Sequence, residues 1–302
     1  MGETVAGGAE ALADVERELK RRADCTPLVC AQSKPGTLNL IFTTIDVPGA
    51  GFTAVLGING TGEMVGDYGQ FVGGATHGFS YMNGSFTYFD YPGETVTVPS
   101  GINDSGLITG YTGTNPIFGF LYDGTTFTTI QDGSDSATYT FGINNAGLIV
   151  GGAGTLGATR GFELRGQQFK NISPPPGGWI YVYVEGINNF GQIVGLTSGA
   201  SISGFTYRNG KFQTVSFPGA TLTEAIGIND GGTIVGWYNK ATSSIYAFAL
   251  RNGKYISFSY PGAKDTSAYG ISASGQIVGS YTLDYQTYHG FVTSPITDAD
   301  FQ

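Results

Sequence analysis

The tripeptide Gly-Ile-Asn recurs at a nearly constant interval, and that recurrence constrains the chain more than any other feature. It begins at Gly57, Gly101, Gly142, Gly186 and Gly227, with a Gly-Ile-Ser variant at Gly270, at spacings of 44, 41, 44, 41 and 43 residues. A constant period means one supersecondary unit packed against copies of itself. Each copy continues alike, as in GINDSGLITGY from Gly101 and GINNAGLIVGG from Gly142. A variable stretch follows, then a second block such as HGFSYMNGSFTYFDYPGE or SGFTYRNGKFQTVSFPGA.

Each copy reads as four short strands, A to D. Strand A ends in Gly-Ile, and a tetrapeptide such as Asn103–Gly106 turns the chain into strand B, the Ile-Val-Gly run. Strand C carries the Gly-Phe pair. A second turn follows at Asn83-Gly84, Asp123-Gly124, Asn209-Gly210 or Asn252-Gly253, and such dipeptides are strong hairpin signals. Strand D alternates aromatic or β-branched residues with polar ones and stops at Pro-Gly, as at Pro48, Pro92, Pro218 and Pro261. Four antiparallel strands in 40–45 residues is the size of a propeller blade.

Closure is written in the chain ends. The sixth copy stops after strand C at Phe291, and LNLIFTTIDVPGA at 38–50 aligns with the strand D segment KFQTVSFPGA at 211–220. The expected fold is an all-β, six-bladed propeller over residues 37–302, its last blade completed by the N-terminal strand 38–48. Composition agrees. With 50 glycines, 20 phenylalanines and 18 tyrosines among 302 residues, and no strict Gly-X-Y period, the chain is neither collagen nor a helix bundle. Its 40% hydrophobic content argues against disorder.

The GIN-xxG-xIVG block followed by a Gly-Phe block resembles the bacterial HAF-type extracellular repeat. His77-Gly78-Phe79 and His289-Gly290-Phe291 keep the histidine of that pattern, and the other copies replace it. The resemblance implies a propeller-like, usually exported protein and no particular activity.

Residues 1–36 differ in kind. Leu12, Val15 and Leu19 form a thin apolar stripe over 9–23, which predicts one short amphipathic helix, and 24–36 reads as a linker. Cys25 and Cys30 allow a disulfide in an oxidising compartment, while two thiols fall short of a tetrahedral zinc site. The first residues lack the basic and apolar regions of a signal peptide, so the compartment is read from composition and resemblance as extracellular or cell envelope. No run of 18 apolar residues predicts a membrane span. The net charge of −9, with no basic stripe, argues against nucleic acid and anionic membrane surfaces as partners. A closed ring has no free sheet edge, so a monomer is expected.

In a propeller the AB and CD turns share one face, and the BC loops and D-to-A connections share the other. The second face varies in length, and binding usually resides on variable loops. Candidate ligand-binding residues there are Trp179, Tyr181, Tyr183, Trp237, Tyr238 and Tyr285, whose rings could stack on sugars, with Glu94 and Asp265 in the Pro-Gly loops. Candidate catalytic residues are Glu185 and Glu224 near the axis and His77 and His289 at the start of strand C. Asp67 and Asp284, in the loops before those histidines, are candidate ligands for a cation such as calcium, although no cofactor is required by any motif. Plainer readings stand beside these: the histidines as repeat features, the acids as solvated loop residues, and the recurring Asn59, Asn103, Asn144, Asn188 and Asn229 as turn caps. Threonine stands four residues before the Gly of GIN at Thr53, Thr97, Thr138, Thr223 and Thr266, where it suits a strand packed between blades.

The leading functional expectation is a binding module for carbohydrate or another cell-surface ligand. The alternatives are a lyase or hydrolase using Glu and His at the channel mouth, and a protein-interaction scaffold.

Overall fold

The computed structural model describes residues 40–71, 73–133, 135–155, 158–173, 181–198, 202–240 and 244–302. The expected N-terminal helix and linker, both cysteines and Trp179 lie outside the described residues.

Six four-stranded antiparallel sheets form the ring. Blade 1 comprises β2 (Phe52–Ile58), β3 (Met64–Gly69), β4 (Thr76–Met82) and β5 (Ser85–Phe89). Blade 2 comprises β6 (Thr97–Ile102), β7 (Ile108–Thr112), β8 (Phe118–Tyr122) and β9 (Phe127–Ile130). Blade 3 comprises β10 (Ala137–Ile143), β11 (Ile149–Thr155), β12 (Ala158–Arg165) and β13 (Gln168–Ile172). Blade 4 comprises β14 (Tyr181–Ile187), β15 (Ile193–Ser198), β16 (Ile202–Arg208) and β17 (Lys211–Val215). Blade 5 comprises β18 (Leu222–Ile228), β19 (Ile234–Asn239), β20 (Ile245–Arg251) and β21 (Lys254–Phe258). Blade 6 comprises β22 (Asp265–Ile271), β23 (Ile277–Thr282) and β24 (Tyr288–Thr293), and its outer strand is β1 (Phe42–Ile45).

That closure follows the register Phe42↔Thr293 to Ile45↔Gly290. The seam is apolar. Phe42 meets Tyr260 and Phe291 edge-on at 5.2 and 5.3 Å between ring centres. Beyond β24 the chain binds the seam again, with Ser294 N–H donating to Ile41 O at 2.8 Å and Phe301 buried in the same cluster.

The repeated residues now have physical roles. The Gly-Phe phenylalanines Phe79, Phe120, Phe162, Phe205, Phe248 and Phe291 are all fully or almost fully buried, filling the space between blades. The glycine of each Ile-Val-Gly run lies against the inner strand. A β-carbon on Gly66, Gly151, Gly236 or Gly279 would sit 1.9 Å from the carbonyl oxygen facing it, so only glycine fits. The strand A threonines do more than pack. Thr53, Thr97, Thr138, Thr223 and Thr266 each accept, at 2.9–3.0 Å, the N–H of the residue six positions earlier, where strand D turns.

The recurring asparagines cap their turns as expected, and they also tie the blades together. Asn144 Oδ1 accepts the N–H groups of Ala146 and Leu148, both at 3.1 Å, while its Nδ2 donates to Asn188 O in the next blade at 3.2 Å. The same inter-blade bond runs from Asn59 to Asn103, Asn103 to Asn144, Asn188 to Asn229 and Asn229 to Ser272. The following residues add a second belt, with Gly60 N–H donating to Asp104 Oδ1 and Asn189 N–H to Asp230 Oδ1.

Candidate functional site

Every inner strand carries a β-bulge just before its GIN or GIS glycine. The bulged residues are Leu56, Ser100, Phe141, Glu185, Ile226 and Tyr269, one per blade, and together they close around the axis. The space left among them is about 20 Å³, room for about one water. A bulge re-aims a side chain. Here it turns one residue per blade into a plug at the middle of the channel.

On the AB-turn face, the plug leaves a polar mouth of about 220 Å³ framed by the asparagine belt. On the opposite face the wall is set by strand alternation. Inner-strand residues three and five before the GIN glycine join the axial cluster, whereas those two and four before it face neighbouring blades. Blades 4 and 5 place Tyr181, Tyr183, Leu196, Leu222 and Trp237 in that cluster. Blades 1 and 2 place Ala54, Leu56, Val96, Val98, Tyr111 and Ile117 there. Three residues before the glycine, blade 4 carries Tyr183 whereas blades 1 and 2 carry Ala54 and Val98, and the mouth is open on the side of the smaller pair.

The opening is a pocket of about 680 Å³ facing blades 1 to 3, within the range of small-molecule sites. Its wall includes the rings of Phe52, Tyr111 and Tyr139, the carboxylate of Asp67, and the hydroxyl residues Thr76, Thr95 and Thr114. Tyr111 and Tyr139 meet edge-to-face at 5.1 Å. The rim is held by backbone pairing. Thr76, which begins β4, donates its N–H to Thr95 O at 3.0 Å, and Thr112 Oγ1 donates to Val96 O at 2.6 Å. Phe71 is 67% exposed, and its ring lies against the pocket residue Gly74.

The sequence-derived residues distribute as follows. Asp67 is in the pocket wall, buried on β3 opposite Ala54, not in the loop expected for it. Glu94 is at the rim, its Oε2 beside Gly113. Tyr181, Tyr183, Trp237 and Tyr238 were expected as exposed rim aromatics and are instead buried. The reason is that β14 begins at Tyr181 and β19 runs through Tyr238 to Asn239, so these are strand residues. Tyr238 faces its neighbour blade, stacked on Phe217 at 3.7 Å, and donates or accepts a bond with Ser257 Oγ at 2.8 Å. Tyr285 is exposed on the blade 6 BC loop, with Lys264 Nζ 4.7 Å from its ring centre. Asp265 is buried and its Oδ1 accepts the Ile245 N–H at 2.8 Å, which is a structural role.

The four candidate catalytic groups do not assemble around one pocket. Glu185 is in the plug, and Glu224 is buried on β18 opposite Trp237. His77 and His289 sit on third strands, away from the inner strands that line the axis. Each meets the aspartate at the end of its own blade's strand D: His77 Nδ1 is 2.9 Å from Asp90 Oδ2, and His289 Nδ1 is 3.3 Å from Asp46 Oδ2. Their equivalence between blades marks a repeat feature. His289 also stacks on Tyr281 at 4.5 Å, and burial pushes the Tyr281 phenol far above its usual range. Asp284 folds its own loop, accepting the N–H groups of Gln286 and Thr287 at 2.7 Å, and those bonds hold its carboxyl down at about 2. Asp67 and Asp284 lie on different blades, and among the described residues no group of three or more His, Cys, Asp or Glu could hold a metal ion.

No family model matches the chain, and no curated protein matches it. Solved structures do. A mutant of AofleA from Arthrobotrys oligospora aligns with TM-score 0.53 at 14% identity, over 86% of this chain and 88% of that one. A fungal lectin from Aleuria aurantia, described as a six-bladed propeller with a fucose recognition mode, aligns with TM-score 0.52 at 11% identity, over 80% and 91%. TolB from Acinetobacter baumannii aligns with TM-score 0.52 at 13% identity, over 72% and 60%. At such identities the likeness is one of fold: the chain shares the propeller architecture of these proteins.

Proposed function

We propose that this propeller is a carbohydrate-binding module of the extracellular space or cell envelope, and that the open side of its channel mouth is the site. The observation that carries this reading is the mixed wall of the 680 Å³ pocket. Aromatic rings of the wall suit the C–H patches of a pyranose, and the hydroxyls of Thr76, Thr95 and Thr114 accept hydrogen bonds from its hydroxyls or donate to them. The pocket is built from strand ends and the loops between them on a rigid ring, so little ordering is lost on binding. The fucose-binding description of a structural neighbour is consistent with the fold serving this purpose. Membership of the HAF-type repeat family remains our reading of the Gly-Ile-Asn and Gly-Phe blocks. No helix among the described residues is long and apolar enough to cross a membrane.

An enzyme acting through Glu185 is not favoured, because its 20 Å³ cavity admits no sugar. The test is a glycan array followed by titration calorimetry on the wild type and Ala75→Trp. Ala75 is an exposed pocket residue, so an indole there blocks the opening without entering the core. Binding by the wild type and its loss in Ala75→Trp are expected. No binding across a broad panel, or binding unaltered by the block, would overturn the site.

A further inference from the structure

We infer that the site takes a β-1,4-linked chain of glucose-type units, not a single sugar, and that the unit emerging from the mouth stacks on Phe71. The inference rests on the carbohydrate reading above and names its ligand class.

Three observations converge. First, the pocket of about 680 Å³ has the size of sites that bury a drug-sized ligand, which among sugars means more than one pyranose; a single ring leaves much of the space to water. Second, an exposed ring stands where a chain leaves the mouth. Phe71 lies in the loop between β3 and β4 of blade 1, and that loop continues into the pocket residues Gly73, Gly74, Ala75 and Thr76. Two glycines hold it there. Gly74 N–H donates to Phe71 O at 3.2 Å, Gly73 takes a φ of +78°, and a β-carbon on Gly74 would come within 2.8 Å of the ring. Third, this ring is not otherwise engaged. The exposed Tyr88 lies beside Tyr68 and Phe86, Tyr285 carries Lys264, and Phe190 is in an AB turn on the opposite face. Phe71 has no aromatic-ring or cation contact among the described residues. A phenyl ring left in water gains when it is covered. A pyranose whose hydroxyls are all equatorial offers an unbroken C–H face for that purpose, and β-1,4 linkage runs successive units as an extended ribbon. A chain with its end between the rings of Tyr111 and Tyr139 and the wall threonines continues outward over the rim. No Lys, Arg or His is among the described lining residues, which suits uncharged units.

The experiment titrates glucose and its β-1,4-linked dimer, trimer and tetramer into the wild type, Phe71→Ala and Phe71→Trp, by NMR for the single sugar and by calorimetry for the chains. We expect affinity to rise with length, with a step of at least about tenfold at the unit that reaches the ring, the lower end of what burying a phenyl group gives. Phe71→Ala should remove that step and leave the affinity for shorter chains unchanged, and Phe71→Trp should keep it. Phe71 is exposed, so neither substitution disturbs the core, and matching melting curves check this. Affinity independent of length, or a step unaltered in Phe71→Ala, would overturn the inference and leave the carbohydrate site standing if Ala75→Trp still blocks binding. An equal loss at every length in Phe71→Ala would point to the shape of the loop instead of stacking and would also overturn it. Binding of other glycans on the array but of none in this ladder would refute the ligand class alone. Silence of ladder and array together would overturn the carbohydrate reading as well.

Discussion

The asparagine belt permits a dissection of what holds one blade to the next. Asn144 makes two bonds within its own turn and one to the neighbouring blade. Blade 6 contains a natural partial deletion: Ser272 accepts the Gln276 N–H through Oγ at 3.1 Å, so it retains a cap, and its short side chain carries no amide to donate across the blade boundary. Asn144→Ser should therefore keep part of the cap and lose the bridge, whereas Asn144→Ala loses both. A net hydrogen bond contributes about 0.5–1.5 kcal/mol. The serine variant should then lose about 1 kcal/mol and the alanine variant about 2–4 kcal/mol. The turn opens on the polar mouth, where water relieves part of the penalty, which favours the lower half of that range. Asn144→Asp keeps an acceptor for the turn but sets a carboxylate oxygen against Asn188 O, so it should cost more than serine. Reversible urea unfolding at matched m-values measures all three. If serine costs as much as alanine, or if every variant lies within 0.5 kcal/mol of wild type, the two-part role of this residue is wrong.

Three further perturbations probe other links. Gly195→Ala places a β-carbon 2.0 Å from Tyr183 O and should cost about 3 kcal/mol or more, while Gly191→Ala, at φ +71° with open space around it, should cost about 1 kcal/mol; thermal melts that rank them oppositely would refute the close-approach argument. Phe42→Ala removes the ring between Tyr260 and Phe291 at the seam and should lose about 3–5 kcal/mol, with limited proteolysis cutting the 40–46 segment first; an unchanged melt would show that closure does not depend on this contact. Asp284 has its folded carboxyl lowered to about 2 from the ordinary 3.8, chiefly by the Thr287 N–H, so its contribution is present above about pH 4 and is lost as pH falls through about 2. The group is exposed, which makes the effect small, and Asp284→Asn should differ from wild type in stability at pH 6 more than at pH 2; a gap that widens toward acid would contradict the sign.

Much of the architecture was legible from spacing alone. The blade count came from five copies of Gly-Ile-Asn and one Gly-Ile-Ser variant, and the closure from a strand missing at one end and present at the other. Turn residues were equally readable, because Asn-Gly and Asn-x-x-Gly act through local geometry. The site was read less well. Trp237 and Tyr238 were assigned to a loop since the Ile-Val-Gly motif suggested that the strand ended there, yet pairing with Glu224 and Thr223 carries β19 further. Adjacent residues on that strand then face opposite ways, Trp237 to the axis and Tyr238 to the preceding blade. Phe52 and Tyr111 drew no notice, because an aromatic in a strand of a glycine- and aromatic-rich chain looks like core.

Local pattern thus determined the six-fold ring, its seam and the identity of its turns, since each depends on residues close in sequence or repeated at one period. The pocket was decided by tertiary structure. Six bulges aim six unlike residues at one axis, and the wall around the mouth is contributed by positions about 40 residues apart. Whether a cavity remains there depends on the sum of side-chain volumes across blades: Tyr181, Tyr183 and Trp237 fill the side of blades 4 and 5, while Ala54 and Val98 leave room beside the rings of Phe52, Tyr111 and Tyr139. Such a sum is a property of packing in three dimensions, and no single repeat contains it.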